Sequence, residues 1–302
     1  MKLFSIKIIV YISVVFGLSV TPIFSGGTDA MDFITLGGSI QANAMGNSLT
    51  AFPGFGGSFS NPASAIGLDK FSISYTNMNY IDSTTFNLIR TGIETDFGTF
   101  FSEFGHMDYG VQLRTTWEDR SGLLNEYFSS TGSYLSLGTA FQFKKFGVGT
   151  SLIFTRQSLD RWTANAVGLS FGILYKIESN LYAGLAYNYI TLSQAKFITQ
   201  KDNLPQKVQI GLSNRSTVFG FPCWISGDII SSNDRVYGAL GVEALVHKNI
   251  KVRGGYQSIN SVAASSFGVE LLLTRFAVDV SVHPSDIFGS FYRFGITFNK
   301  ES

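Results

Sequence analysis

The chain has 302 residues, 45% hydrophobic and only 14% charged, with a formal net charge of +1. The charged share is well below the roughly 25% of a typical soluble domain, and a near-neutral chain has no bulk attraction for nucleic acid. Abundant Gly (32), Phe (28) and Tyr (13) with only 6 Pro favour long strands and tight turns and argue against disorder.

The N-terminus reads as a secretory signal. Lys2 and Lys7 precede an uncharged, mostly apolar run from Ile8 to Val20, and small residues follow near Ser25 and Ala30. This run is shorter than the roughly 20 residues of a spanning helix, so residues 1–25 are expected to be cleaved. Their loss removes two lysines and no acid, taking the charge from +1 to −1. No cysteine follows the run closely, which argues against a lipoprotein. The sole cysteine, Cys223, cannot form an intramolecular disulfide.

Residues 26–68 are expected to form a plug segment. Gly37 to Thr50 is rich in Gly, Ala, Ser and Asn, with Ile40, Ala44, Met45 and Leu49 at loosely helical spacing. Pro53-Gly54-Phe55-Gly56-Gly57 breaks the pattern. Asn61-Pro62-Ala63 then reads as a short helix start, with Asn61 as the cap and Pro62 in the first turn.

From Phe71 to Phe298 a two-residue beat takes over. In Tyr134–Phe143, Leu135, Leu137, Phe141 and Phe143 share one face, while Tyr134, Ser136, Gly138, Ala140 and Gln142 share the other. Such alternation defines a strand with one apolar face. Fifteen candidate strands follow, among them Thr84–Ile93, Gly98–Phe104, Asp108–Trp117 and Tyr134–Lys144. Single-chain bacterial barrels have even strand counts, so the Thr84–Phe104 stretch is read as one strand plus an excursion, giving fourteen. Short turns such as Lys144-Lys145 alternate with longer polar segments at 118–132, 191–206 and 258–264, the outer-membrane pattern.

The apolar face of these strands meets either a second sheet or lipid. Opposite it lie Glu243, Lys251, Arg253, Glu270, Asp279 and Arg293, which a barrel turns into its lumen, where neighbouring strands can pair them. The last strand carries Tyr292, Phe294, Ile296 and Phe298 in alternation, as a barrel-assembly signal does, but Asn299-Lys300-Glu301-Ser302 follow it. The expected fold is all-β: an antiparallel transmembrane β-barrel of about 14 strands over residues 69–302, with a short N-terminal helical plug in the lumen. A secreted soluble β-sandwich is the rival reading.

Several stretches resemble FadL-like outer-membrane proteins, in particular the PorV/PorQ branch and its uncharacterised spirochaetal relatives. They are Gly37-Gly38-Ser39, Met45-Gly46-Asn47, Ser60-Asn61-Pro62-Ala63, Leu204–Leu212, Gly227-Asp228, Val252–Tyr256 and Phe291–Ile296. The resemblance implies a fourteen-stranded barrel whose N-terminal segment plugs the lumen. It also implies either passage of long-chain fatty acids, as in FadL, or cargo handling in secretion, as in the PorV branch. Gly46, Asn61, Pro62 and Ala63 take the plug and gate positions. Many relatives carry Asp-Asp-Ala before Asn-Pro-Ala, where this chain has Gly56-Gly57-Ser58-Phe59, so a role for that acidic pair does not carry over.

No metal-ligand spacing, nucleophile elbow or phosphate loop is present, and His106, His247 and His283 are far apart in sequence. Gly147-Val148-Gly149 lies in a strand and is a packing feature. The leading expectation is a non-enzymatic, passive outer-membrane transporter of a hydrophobic small molecule, without cofactor or metal. Phe52, Phe55 and Phe59 are its candidate ligand pocket. Outer-membrane lipid, the hydrophobic ligand and the barrel-assembly machinery during insertion are the expected partners, with no nucleic acid. The alternative is a secretion-associated or scaffold barrel contacting proteins through 118–132 and 191–206.

Overall fold

A computed structural model describes residues 29–68, 70–80, 84–115, 117, 120–121, 123–232, 235–259, 262–284 and 289–300. The expected signal segment 1–25 and part of the segment 118–132 lie outside the described residues.

Alternation of the kind seen in Tyr134–Phe143 builds one continuous antiparallel wall. The strands are β1 (Phe71–Asn79), β2 (Thr85–Thr95), β3 (Gly98–Leu113), β4 (Tyr127–Phe143), β5 (Phe146–Leu159), β6 (Trp162–Glu178) and β7 (Leu181–Ser193). After a two-stranded ribbon of β8 (Ala195–Lys196) and β9 (Lys201–Asp202) come β10 (Lys207–Val218), β11 (Phe221–Ser232), β12 (Arg235–His247) and β13 (Ile250–Ile259). β14 (Val262–Leu272), β15 (Phe276–His283) and β16 (Phe291–Lys300) complete the wall. Fourteen of these close into a barrel, because β1 pairs with β2 on one side and with β16 on the other. Closure leaves no unpaired edge, the condition for strands to cross a bilayer.

The count of fourteen agrees with expectation, but the merger falls elsewhere. Thr84–Phe104 is two strands joined at Asp96-Phe97, while Gly98–Phe104 and the first part of Asp108–Trp117 are one strand, β3, which ends at Leu113. The apparent break at Gly105 is a packing site. Gly105 faces inward under the Tyr134 ring, whose Cζ would lie 2.7 Å from any added Cβ. The register slips only later, between Asp108 and Val111, where Gly110 adopts φ +75°. The segments 118–132 and 258–264 are also shorter as loops than expected, since β4 begins at Tyr127 and β13 runs to Ile259.

The two faces separate as the alternation requires. Leu137 is 49% exposed and its neighbour Ser136 only 8%. Phe104, Phe154, Ile210, Phe267 and Ile296 likewise point out of the barrel, and among the described residues no second sheet covers them. A belt of aliphatic and aromatic side chains around a closed barrel has lipid as its solvent. The molecule is an outer-membrane-type β-barrel, and the sandwich reading falls because the sheet closes on itself. Among the described residues no helix is long and apolar enough to cross a membrane.

The small residues before β1 fill the lumen. A 3₁₀ turn at Asp32–Leu36 leads to helix α1 (Ile40–Ala44), followed by 3₁₀ turns at Phe55–Gly57 and Pro62–Gly67. Ser39 caps α1 by accepting the Ala42 N–H at 3.0 Å. The segment enters at the long-loop end, where Ala30 N–H bonds the Asn203 carbonyl beside the ribbon. It leaves at the short-turn end into β1.

Candidate functional site

The plug is fastened to the wall by polar side chains on inward strand positions. Asn61 is fully buried and does three things at once. Its Oδ1 accepts the Ala63 N–H at 3.0 Å, the expected cap, and Pro62 occupies the first turn. Its Nδ2 donates to the Thr50 carbonyl at 2.7 Å and to the Ile173 carbonyl of β6 at 3.0 Å, joining two parts of the plug to the barrel. Ala63 is fully buried. Side chains at Gly147 and Gly149 would run into Ile66 and the Pro62–Ala63 peptide, which explains this glycine pair as packing. Gly46 adopts φ +63° and donates its N–H to Ser266 Oγ at 3.2 Å. A Cβ there would be strained and would come within 2.9 Å of the Tyr256 backbone.

Replacing Asn61 by Ala removes a cap, one bond within the plug and one bond to the wall, and strands buried carbonyls. We expect a stability loss of about 1–3 kcal/mol, read as a lower urea midpoint in lipid vesicles. Asn61→Asp, which keeps the cap acceptor but loses both donors, should also fall. An unchanged midpoint in both would refute this role.

The lumen charges divide into a cluster and a lone cation. Glu243, Arg253, Lys251, Glu270 and Asp279 come together because each acid sits opposite a base, or opposite another member, in the strand register. The Arg253 guanidinium donates to Glu243 at 2.6 Å and Asp279 at 2.5 Å and pairs with Glu270. Lys251 lies 3.4 Å from Glu270. Gln41 of α1 donates to Glu243 at 2.8 Å, so the cluster also holds the plug. Arg293 stands apart, donating to the Leu36 carbonyl at 3.0 Å.

A second fastening was not anticipated. Arg90 and Glu103 are register partners on β2 and β3 and form a buried pair at 2.8 Å. Arg90 also donates to the Phe55 carbonyl and Ser58 Oγ, both at 2.6 Å, and its guanidinium lies 4.4 Å from the Phe55 ring centroid. It therefore holds the Gly56–Phe59 stretch. Asn188 and Gln209 both donate to the Ser60 carbonyl, and Asp228 accepts the Thr50 N–H at 2.9 Å. Each is an inward position readable from alternation, but its target in the plug is not.

The three candidate pocket phenylalanines do not share a pocket. Phe52 packs on Trp224 at 4.8 Å between ring centres. Phe55 packs with Ala65, Phe101 and Ala140, and Phe59 lies 6.3 Å from Tyr189. The histidines are not brought together either: His106 bonds Ser133, and His283 lies against Phe291.

A cavity of about 590 Å³ lies above the plug at the long-loop end. Phe33, Leu36, Met78, Met107 and Phe291 give it apolar walls. Tyr80, Tyr109 and Tyr237 add hydroxyl-bearing rings. Among the described residues, Lys207, Arg235 and Arg293 supply positive charge and Asp32 supplies a carboxylate. Burial raises the Tyr80 hydroxyl above its ordinary pKa, and the Arg293 charge pulls it partly back. The volume is that of a small-molecule site, and the lining suits a body that is apolar at one end and acidic or polar at the other.

No protein-family model and no curated protein matches the sequence. Solved structures share the fold. The toluene transporter TbuX of Ralstonia pickettii superposes with TM-score 0.63 at 14% identity, over 87% of this chain and 98% of that one. The toluene transporter TodX of Pseudomonas putida gives 0.62 at 12%, over 88% and 98%. A FadL homologue of Pseudomonas aeruginosa gives 0.58 at 9%, over 87% and 98%. At these identities the likeness is one of fold.

Proposed function

We propose that this outer-membrane barrel is a non-enzymatic, passive transporter of a hydrophobic small molecule, and that the long-loop cavity is where the molecule is held. The carrying observation is the cavity itself, with apolar Met78, Met107 and Phe291 beside the cations Lys207 and Arg293. An amphiphile such as a long-chain fatty acid satisfies both parts: its chain leaves water against the thioethers and rings, and its carboxylate meets the bases. The three fold neighbours are named for toluene transport or FadL homology, which supports the same class. The Asn61-Pro62-Ala63 staple supports placing the chain among FadL-like proteins, with the PorV/PorQ branch as the finer assignment.

The test is binding of a labelled fatty acid and of a neutral aromatic to protein in lipid vesicles. Saturable binding of the fatty acid is expected. Lys207→Gln should weaken it about tenfold, the loss of one charge-assisted hydrogen bond, and leave neutral ligands unaffected. No saturable binding of either probe would overturn the proposal.

The scaffold reading keeps one observation. Trp117, 86% exposed, and Leu123 stand out at the long-loop end. A stoichiometric protein partner in gentle detergent extracts would favour it. The 191–206 segment is less suited to that role, because Asn203, next to the β8–β9 ribbon, already holds the start of the plug.

A further inference from the structure

A second cavity, of about 150 Å³, lies below the first against the same stretch of wall. The boundary between them is one layer of side chains thick. On β1, Thr76 lines the lower cavity and Met78, the next inward residue, lines the upper. On β16 the corresponding pair is Gly295 and Arg293; in the plug it is Ser39 and Gly37.

That layer is thinly fastened. Arg293 reaches the plug through one bond to the Leu36 carbonyl, and no carboxylate lies within ion-pair distance of it among the described residues. Ser281 Oγ donates to Asn43 Oδ1 at 3.0 Å. Ile40 fills the rest, its Cδ1 lying 2.6 Å from where a Gly295 Cβ would stand. Leu36 is followed by Gly37 and by Gly38 at φ +104°. Phe33 and Ile34 stay anchored in the core, so opening falls to the Arg293 side chain and not to the plug backbone.

The lower cavity offers little to an apolar molecule. Ser72, Ser74, Thr297, Lys251 and Asp279 line it with hydroxyls and charges, a surface that holds water. We propose that the barrel also conducts small hydrophilic solutes along the β1–β16 seam, and that the Arg293–Leu36 bond is the gate. This activity is separate from uptake of a hydrophobic ligand and does not depend on it.

The test is ion current through the protein in planar lipid bilayers. Arg293→Gln and, as a second variant outside the barrel wall, Asn43→Ala should each raise the mean current at least about fivefold over the parent. In the Arg293→Gln background with Cys223→Ser, Ser74→Cys should lose more than half of that current on reaction with a charged methanethiosulfonate. Ser136→Cys, on β4 outside the lower cavity, should lose none. A parent that conducts as freely as both variants, no rise in either, or current insensitive to reaction at residue 74 would each overturn the proposal.

Discussion

Replacing Arg253 by methionine is expected to cost about 3–5 kcal/mol of stability, the usual penalty for removing one partner of a buried ionic network. The guanidinium side chain is 3% exposed and answers three carboxylates, Glu243, Glu270 and Asp279. Without it, Lys251 alone faces all three, at 3.4 Å from the nearest. The loss exceeds that of a surface ion pair, because the three acids are only 7%, 9% and 13% exposed, and Glu270 and Asp279 meet water on their cavity side alone. The urea midpoint of the protein refolded into lipid vesicles measures it. A double variant, Arg253→Met with Asp279→Asn, should recover part of the loss, since one stranded charge is gone. A midpoint equal to the parent's would show that the cluster is wet and contributes nothing to the fold.

The second large effect is expected on the opposite face. Leu137→Arg places a cation on the outward side of β4, where Leu135 and Phe141 flank it on the same face. In lipid this costs about 2–4 kcal/mol near the bilayer midplane. In water the same change would be close to neutral. The inward neighbour gives the control: Ser136→Ala removes no lipid contact and should fall within about 0.5 kcal/mol, the range of a mild substitution. Equal small effects at both positions would mean that the outer face does not meet lipid.

The wall was largely legible because its information is local. Two-residue alternation assigns every side chain a face, so Leu137 outward and Glu243 inward follow from the strand alone. Asn61-Pro62 was legible for the same reason: a cap and a first-turn proline act within three residues. What failed was non-local. The gap between the candidate strands at Phe104 and Asp108 contains Gly105, which sits under Tyr134, 29 positions away, and only the pairing of β3 with β4 reveals that. Two consecutive residues of β7, Asn188 and Tyr189, both face inward, with Tyr189 at φ +62°, and no alternation rule predicts that.

The candidate site was less legible than the fold. Phe52, Phe55 and Phe59 were chosen for being aromatic and close in sequence, but the plug folds back on itself and sends each to a different neighbour. The long-loop cavity draws its lining from the plug, β1, β3, β10, β11, β12, β13, β15 and β16, a set that exists only after closure. Lys207 and Tyr237 were ordinary strand-end residues until the barrel brought them to one space.

The central claim is that the apolar face meets lipid around a closed, plugged barrel. Gel migration of the detergent-extracted protein with and without boiling tests it most directly. The account predicts that extraction requires detergent and that the unboiled, still-closed barrel migrates faster than the boiled chain. Recovery in the aqueous fraction without detergent, with identical migration before and after boiling, would contradict it.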